Sequence, residues 1–244
     1  MLLTLMTMND IKFKFTGKTA LVVGGSRGIG REVVRQFVLA NATTFYASRR
    51  PGDIASATHL KCDIRDSQDI SEMFSRLSSV DYVINVAGTN LCEPIEMIDE
   101  DEWSRVIDTN LKSFFLICQH AIKMMKNKNY GRIVNVSSIA GRHKSIVSGV
   151  HYTSSKYGIV GLTKQLAHEV SSYNIRVNCT CPSQTLTEML EESMTKEEIS
   201  LLESRIPVRR ISTVTEQALP ILFLCSHAAD YINGATLDVN GGQL

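Results

Sequence analysis

The segment Thr19-Ala20-Leu21-Val22-Val23-Gly24-Gly25-Ser26-Arg27-Gly28-Ile29-Gly30 decides the reading of the whole chain. Its first five residues form an apolar run of strand length. Glycines follow at once, and the next stretch places Val33, Val34, Phe37 and Val38 at helical spacing. A strand, a glycine-rich turn and a helix together aim backbone N–H groups and the positive end of a helix dipole at an anion. Gly24, Gly28 and Gly30 suit a tight turn, close backbone approach to a pyrophosphate and close packing of helix on strand. Gly24, Ser26, Arg27, Gly28, Ile29 and Gly30 are therefore candidate dinucleotide contacts.

Outward from this turn, residues 43–47, 81–85, 132–136, 174–179 and 235–239 read as further buried strands, separated by helix-period stretches. Near-continuous apolar strands alternating with helices predict an α/β fold, with a mostly parallel sheet covered on both faces. No linker, repeat or low-complexity tract divides the chain, so residues 15–244 read as a single doubly wound Rossmann domain. Residues 1–14 read as a flexible tail. Their apolar start lacks a basic region and a small-residue cleavage site, and is too short to span a bilayer. Residues 186–205, rich in Glu, Ser, Thr and Met, read as a helical excursion outside the sheet, a natural lid.

Composition narrows the function classes. The chain has 244 residues, with 43% apolar and 21% charged, which argues against disorder, collagen and coiled coil. Lys and Arg number 26 against 25 Asp and Glu, a net charge of +1, so nothing drives broad binding to nucleic acid or an anionic membrane. Of the cysteines, Cys62, Cys92, Cys118, Cys179, Cys181 and Cys225, only Cys179 and Cys181 are close, one residue apart. Zinc ligands are usually spaced more widely and come with a second pair. The expectation is no metal, and free thiols in a reducing, cytoplasmic setting.

The second strand ends in Tyr46-Ala47-Ser48-Arg49-Arg50. An acid about 20 residues past the glycines would accept from ribose hydroxyls and favour NAD. Arginines stand there instead, and a guanidinium fork matches a phosphate. Ser48, Arg49 and Arg50, with Arg27 from the other side, point to the 2′-phosphate of NADP(H). The stretch 51–61 leaves room for about one helical turn before a third strand.

Tyr152 and Lys156 are four apart within a helix-period segment, 151–173, and so share a face. Reducing a carbonyl needs hydride on carbon and a proton on oxygen. A phenol is a plausible acid, and an ammonium beside a phenol favours phenolate, which lets one group serve both directions. Ser138 follows the strand at 132–136. Asn110 sits in a long helix pattern running from about Trp103 to Lys126.

Together, Gly24-x-x-x-Gly28-x-Gly30, Asn85-Val86-Ala87-Gly88, Asn110, Ser138 and Tyr152-x-x-x-Lys156 resemble the short-chain dehydrogenase/reductase family over nearly the whole chain. The pattern is nearest to its 3-oxoacyl-[acyl-carrier-protein] reductases. The resemblance implies a seven-stranded sheet and a catalytic tetrad of Asn110, Ser138, Tyr152 and Lys156. In it, Asn110 holds a water linked to Lys156, and Tyr152 and Lys156 also contact the cofactor. It further implies cofactor contacts from Cys62, Asp63 and Ile64 near the adenine, from Asn85, Ala87 and Gly88, and from Pro182, Thr185 and Thr187. Val23, Val86 and Ser183 depart from the family's usual Thr, Asn and Gly.

The implied reaction is hydride transfer between NADP(H) and a small-molecule carbonyl or secondary alcohol. Acyl-carrier-protein reductases often carry arginines where this chain has Asn129 and Tyr173. The segment between Ser138 and Tyr152, with His143, Lys144, Ser148 and His151, is polar and basic, and Gln184 adds to it. A keto sugar or nucleotide-linked sugar therefore stands beside a 3-oxoacyl thioester as substrate class. A non-catalytic nucleotide sensor is the contrasting function. Relatives are commonly tetramers built on the helices around Trp103–Lys126 and Tyr152, whose apolar residues here include Phe114, Phe115, Ile117 and Ile122.

Overall fold

The computed structural model describes residues 12–145, 147–187, 190 and 195–244. Seven parallel strands form one sheet in the order β3-β2-β1-β4-β5-β6-β7. They are β1 (Thr19–Val23), β2 (Thr43–Ser48), β3 (Thr58–Lys61), β4 (Tyr82–Asn85), β5 (Gly131–Val136), β6 (Ile175–Pro182) and β7 (Thr236–Val239). The described helices are α1 (Gly28–Leu39), α2 (Ser67–Ser75), α3 (Glu100–Ile107), α4 (Ser113–Lys128), α5 (Val150–Val170), α6 (Lys196–Ser204) and α7 (Val214–Cys225).

The apolar runs follow from burial of the sheet on both sides. Leu21 and Val23 of β1 face Ile70, Met73, Ile117 and Met125 of α2 and α4. Ala20 and Val22 face Val33, Val34 and Phe37 of α1 and Ile221 and Leu222 of α7. α1 packs on α7, where the Thr215 hydroxyl donates to Glu32 at 3.1 Å. β1 pairs with β2 on one side and β4 on the other, so the strand order reverses there and opens a crevice at the strands' C-terminal ends.

Several expectations need correction. Residues 51–61 hold no helical turn: Thr58–Lys61 is itself β3, paired with β2. The long helix around Asn110 is three pieces, α3, a π-helical turn at Asp108–Lys112, and α4. Phe114, Ile117 and Ile122 are core residues, and only Phe115 of that group is exposed. β6 runs to Pro182, so Cys179 and Cys181 share one buried face of a strand, which accounts for their spacing. All six cysteines are free and only Cys92 is exposed; burial pushes the Cys118 thiol up to about 12. Residues 1–11 of the expected tail lie outside the described residues, while Phe13 stacks on Phe15 at 5.9 Å. Residues 188, 189 and 191–194 of the expected lid also lie outside them; its described part includes α6, opened by a Thr195–Glu198 capping box.

α7 opens with a second capping box, Thr213 with Glu216. Arg210 grips the same carboxylate, with one N–H donating at 2.8 Å. The Arg210 hydrogen bonds hold the Glu216 carboxyl at about 2, below its ordinary 4.5. A depressed carboxyl stabilises the fold above its unfolded value and loses that contribution as pH falls toward its folded value. Chemical denaturation should therefore find Glu216→Gln less stable than the parent at neutral pH, with the gap closing between about 4.5 and about 2.

Candidate active site

The glycine turn is packed as a close-approach loop requires. Gly24 has φ +93°, and a Cβ there would lie 2.6 Å from the Ala87 nitrogen; one on Gly30 would lie 2.1 Å from the Gly24 oxygen. Val86 and Ala87 both donate to the Val23 carbonyl at 3.0 Å, which joins the loop after β4 to the end of β1. No side chain caps the start of α1. Its first N–H groups and dipole thus suit an anion brought to the turn. The Gly28 side of the turn faces Thr187, 3.4 Å from where a Cβ would stand.

The arginines sit on two loops that touch. The buried Tyr46 hydroxyl donates to the Gly52 carbonyl at 3.0 Å and accepts its N–H at 3.1 Å. Gly52 presses on Ser26, whose oxygen a Cβ would meet at 2.7 Å. The Ser48 hydroxyl donates to the Arg50 carbonyl at 2.6 Å, so it shapes the turn that carries Arg49 and Arg50. Arg27, Arg49 and Arg50 are exposed, and none is ion-paired among the described residues. Tyr46 and Gly52 escaped sequence reasoning, because a strand tyrosine and a loop glycine carry no signal alone.

At the adenine side, Asp63 accepts both arms of Arg65, at 3.0 and 2.6 Å. Those hydrogen bonds, with smaller help from Arg49, hold its carboxyl below the ordinary range. Cys62 is interior, its thiol pushed up to about 12 mainly by burial, so that thiol is no candidate to meet a nucleotide, whereas Ile64 is half-buried. The Asn85 side chain turns into the protein below the crevice. It is fully buried and donates to Asn135 Oδ1 at 2.8 Å, while Asn135 donates to Thr163 at 3.0 Å. These three tie β4, β5 and α5 together beneath the site.

Lys156 is buried and its ammonium donates to the Val136 carbonyl at 3.1 Å. It lies 5.5 Å from the centre of the Tyr152 ring. A Cβ on Gly88 would stand 3.6 Å from this ammonium and 3.4 Å from Asn110 Oδ1, which brings β4, the π-turn and α5 to one point. Asn110 accepts the Thr89 N–H at 2.8 Å and donates to the Thr89 carbonyl at 2.9 Å and to Ser155 at 3.2 Å. Ser155 in turn donates to the Tyr152 carbonyl at 2.6 Å. Asn110 thus fastens the loop after β4 to the first turn of the Tyr152 helix.

Ser138 caps a short 3₁₀ turn, accepting from the Ala140 N–H at 3.1 Å, and is half-buried. Its neighbour Ser137 donates to the Lys156 carbonyl at 2.8 Å, which locks the serine loop to α5. Pro182 ends β6, and Thr185 bridges to Ser212 beyond it. Of the basic segment, Arg142 is held by Asp238 at 3.0 and 3.2 Å, and His151 is fully buried against Glu102. His143 and Lys144 remain exposed.

The ammonium of Lys156 has three donors and one partner among the described residues. The remaining donors fit a ribose, and the uncapped turn fits a pyrophosphate, so the residues present suit a dinucleotide.

The fold and this site define an oxidoreductase, and the chain belongs to the short-chain dehydrogenase family. The model of that family, described as "short chain dehydrogenase", matches residues 18–198. Its members work with a nicotinamide cofactor. The chain is 33% identical to the 3-oxoacyl-[acyl-carrier-protein] reductase FabG of Rickettsia typhi, over 94% of this chain and 98% of that one. It is 34% identical to an acetoacetyl-CoA reductase of Acinetobacter sp., over 92% and 97%. Among solved structures, the aldohexose dehydrogenase of Thermoplasma acidophilum superposes with a TM-score of 0.87 at 29% identity, over 93% and 94% of the two chains.

Proposed function

We propose that the protein is an NADP(H)-dependent reductase, or dehydrogenase, that interconverts a carbonyl and a secondary alcohol, with Tyr152 as acid and base. The observation that carries this reading is the Lys156 ammonium, which lies 5.5 Å from the Tyr152 ring and meets Gly88, itself beside Asn110. Arg27, Arg49 and Arg50 take the 2′-phosphate, and Gly24 to Gly30 take the pyrophosphate. The bound nicotinamide supplies the hydride. Tyr152 gives or takes the proton on the substrate oxygen, and Ser138 donates a hydrogen bond to it. Lys156 holds the ribose beside the phenol.

A 3-oxoacyl thioester is the first substrate class, by analogy with the two reductases of similar sequence. A keto sugar is the second, favoured by Gln184, whose buried side-chain oxygen has no partner among the described residues. A panel of acetoacetyl thioesters, diketones and keto sugars, followed by loss of NADPH absorbance, should show turnover on one class. Tight NADPH binding with turnover on none would sink the enzymatic reading in favour of a sensor.

Residues 15–244 act as one domain in this reading, with a cytoplasmic setting that suits six free thiols. No described helix is long and apolar enough to cross a membrane. Homotetramer formation is supported by exposed Trp103, Phe115 and Tyr157 on α3, α4 and α5, and light scattering would count the copies.

A further inference from the structure

We propose that His151 is a positioning residue for Tyr152, fixing the first turn of α5 so that the phenol keeps its place; this rests on the assignment of Tyr152 as acid and base. α5 starts from Gly149, which has no side chain to cap the orphan N–H groups of the first turn. The imidazole of His151 folds back and takes that part: its Nδ1 accepts the backbone N–H of Tyr152 at 2.8 Å. A backbone N–H can only donate, so Nδ1 carries no proton and the neutral ring holds its proton on Nε2. Nε2 then donates to Glu102 Oε1 at 2.9 Å. Glu102, on α3, thereby selects the tautomer that caps Tyr152.

Two further features accompany this arrangement. A Cβ on Gly149 would lie 2.6 Å from His151 Cε1 and 2.9 Å from Nδ1. Yet Gly149 has φ −71°, a conformation open to any residue. The glycine makes room for the ring, and less closely for the Leu91 carbonyl at 3.2 Å, and does not relieve a strained backbone. The other backbone group of Tyr152 is also tied, since its carbonyl accepts from Ser155, which accepts from Asn110. The proton and hydride steps leave His151 without a chemical task, and it is fully buried away from substrate.

His151→Leu, His151→Asn and Gly149→Ala test the idea together. Small misplacements of a reacting group are costly, so His151→Leu and Gly149→Ala should each lower kcat about ten-fold, with KM for NADPH within about two-fold. Asn places its Oδ1 where Nδ1 lies and should restore kcat to within about three-fold of the parent. Amide hydrogen exchange gives a readout apart from turnover: the Tyr152 N–H should be protected in the parent and in His151→Asn, and exchange fast in His151→Leu. Parental kcat in His151→Leu, or equal losses in the Asn and Leu variants, would overturn the proposal, as would an unprotected Tyr152 N–H in the parent. Should Tyr152→Phe stay active, the acid and base assignment fails while the exchange measurement still judges the cap.

Discussion

Tyr152→Phe should abolish carbonyl reduction while leaving NADPH binding and thermal stability near those of the parent. General acid–base groups contribute about 10²–10⁴-fold, and a kcat loss of about 10³-fold is expected. The substitution removes one oxygen and keeps the ring that lies 5.5 Å from the Lys156 ammonium. It also keeps both backbone ties, the N–H held by His151 and the carbonyl held by Ser155. Lys156 stays anchored to Val136, so the ribose contact proposed for it would survive. A fluorescence titration with NADPH and a single-turnover assay together check the claim. Retention of most of the activity would remove Tyr152 from its role, whatever the stability shows.

The second large effect concerns the nucleotide. Arg27→Ala combined with Arg49→Asp should raise KM for NADPH about 100-fold, since each hydrogen bond between charged groups contributes about 1.5–3 kcal/mol. KM for NADH should change by no more than about three-fold, because an Asp at this place can accept from ribose hydroxyls. Both arginines are exposed and carry no ion pair among the described residues, so their loss should cost the fold little. Their loops are set by contacts the substitutions leave alone, Tyr46 on Gly52 and Gly52 on Ser26. Equal changes in the two KM values would sink the NADP(H) assignment.

Much of this architecture was readable because the governing signals are local. The β1 run, the glycine turn and the α1 stripe lie within twenty-odd consecutive residues, and both-sided burial makes each central strand continuously apolar. The readable part of the site was the part with fixed spacing, above all Tyr152 and Lys156 one helical turn apart. What local pattern could not supply were contacts across the fold. Glu102 and His151 are 49 residues apart, and Asn85 and Asn135 are 50 apart. The family-like motif at Asn85 gave no sign that its register on β4 turns the amide into the layer below. Phe114 and Phe115 read alike in sequence, and only packing decides which of the two is core. The brief β3 was expected only beyond residue 61, because four residues, Thr58–Lys61, with one buried leucine give almost no period-two signal.

The seat of α1 on α7 has a consequence for synthesis. Glu32 and Thr215, which join these helices, are 183 residues apart. At ribosomal rates of about 5–20 residues per second, roughly 10–40 s pass before the covering helix emerges. During that time Val33, Val34 and Phe37 lack Ile221 and Leu222 of the covering helix, and β1 at first waits for β4 as well. The nascent chain therefore carries an uncovered, sticky helix for most of its translation, and its yield in a cell should depend on how well holding chaperones shield that face.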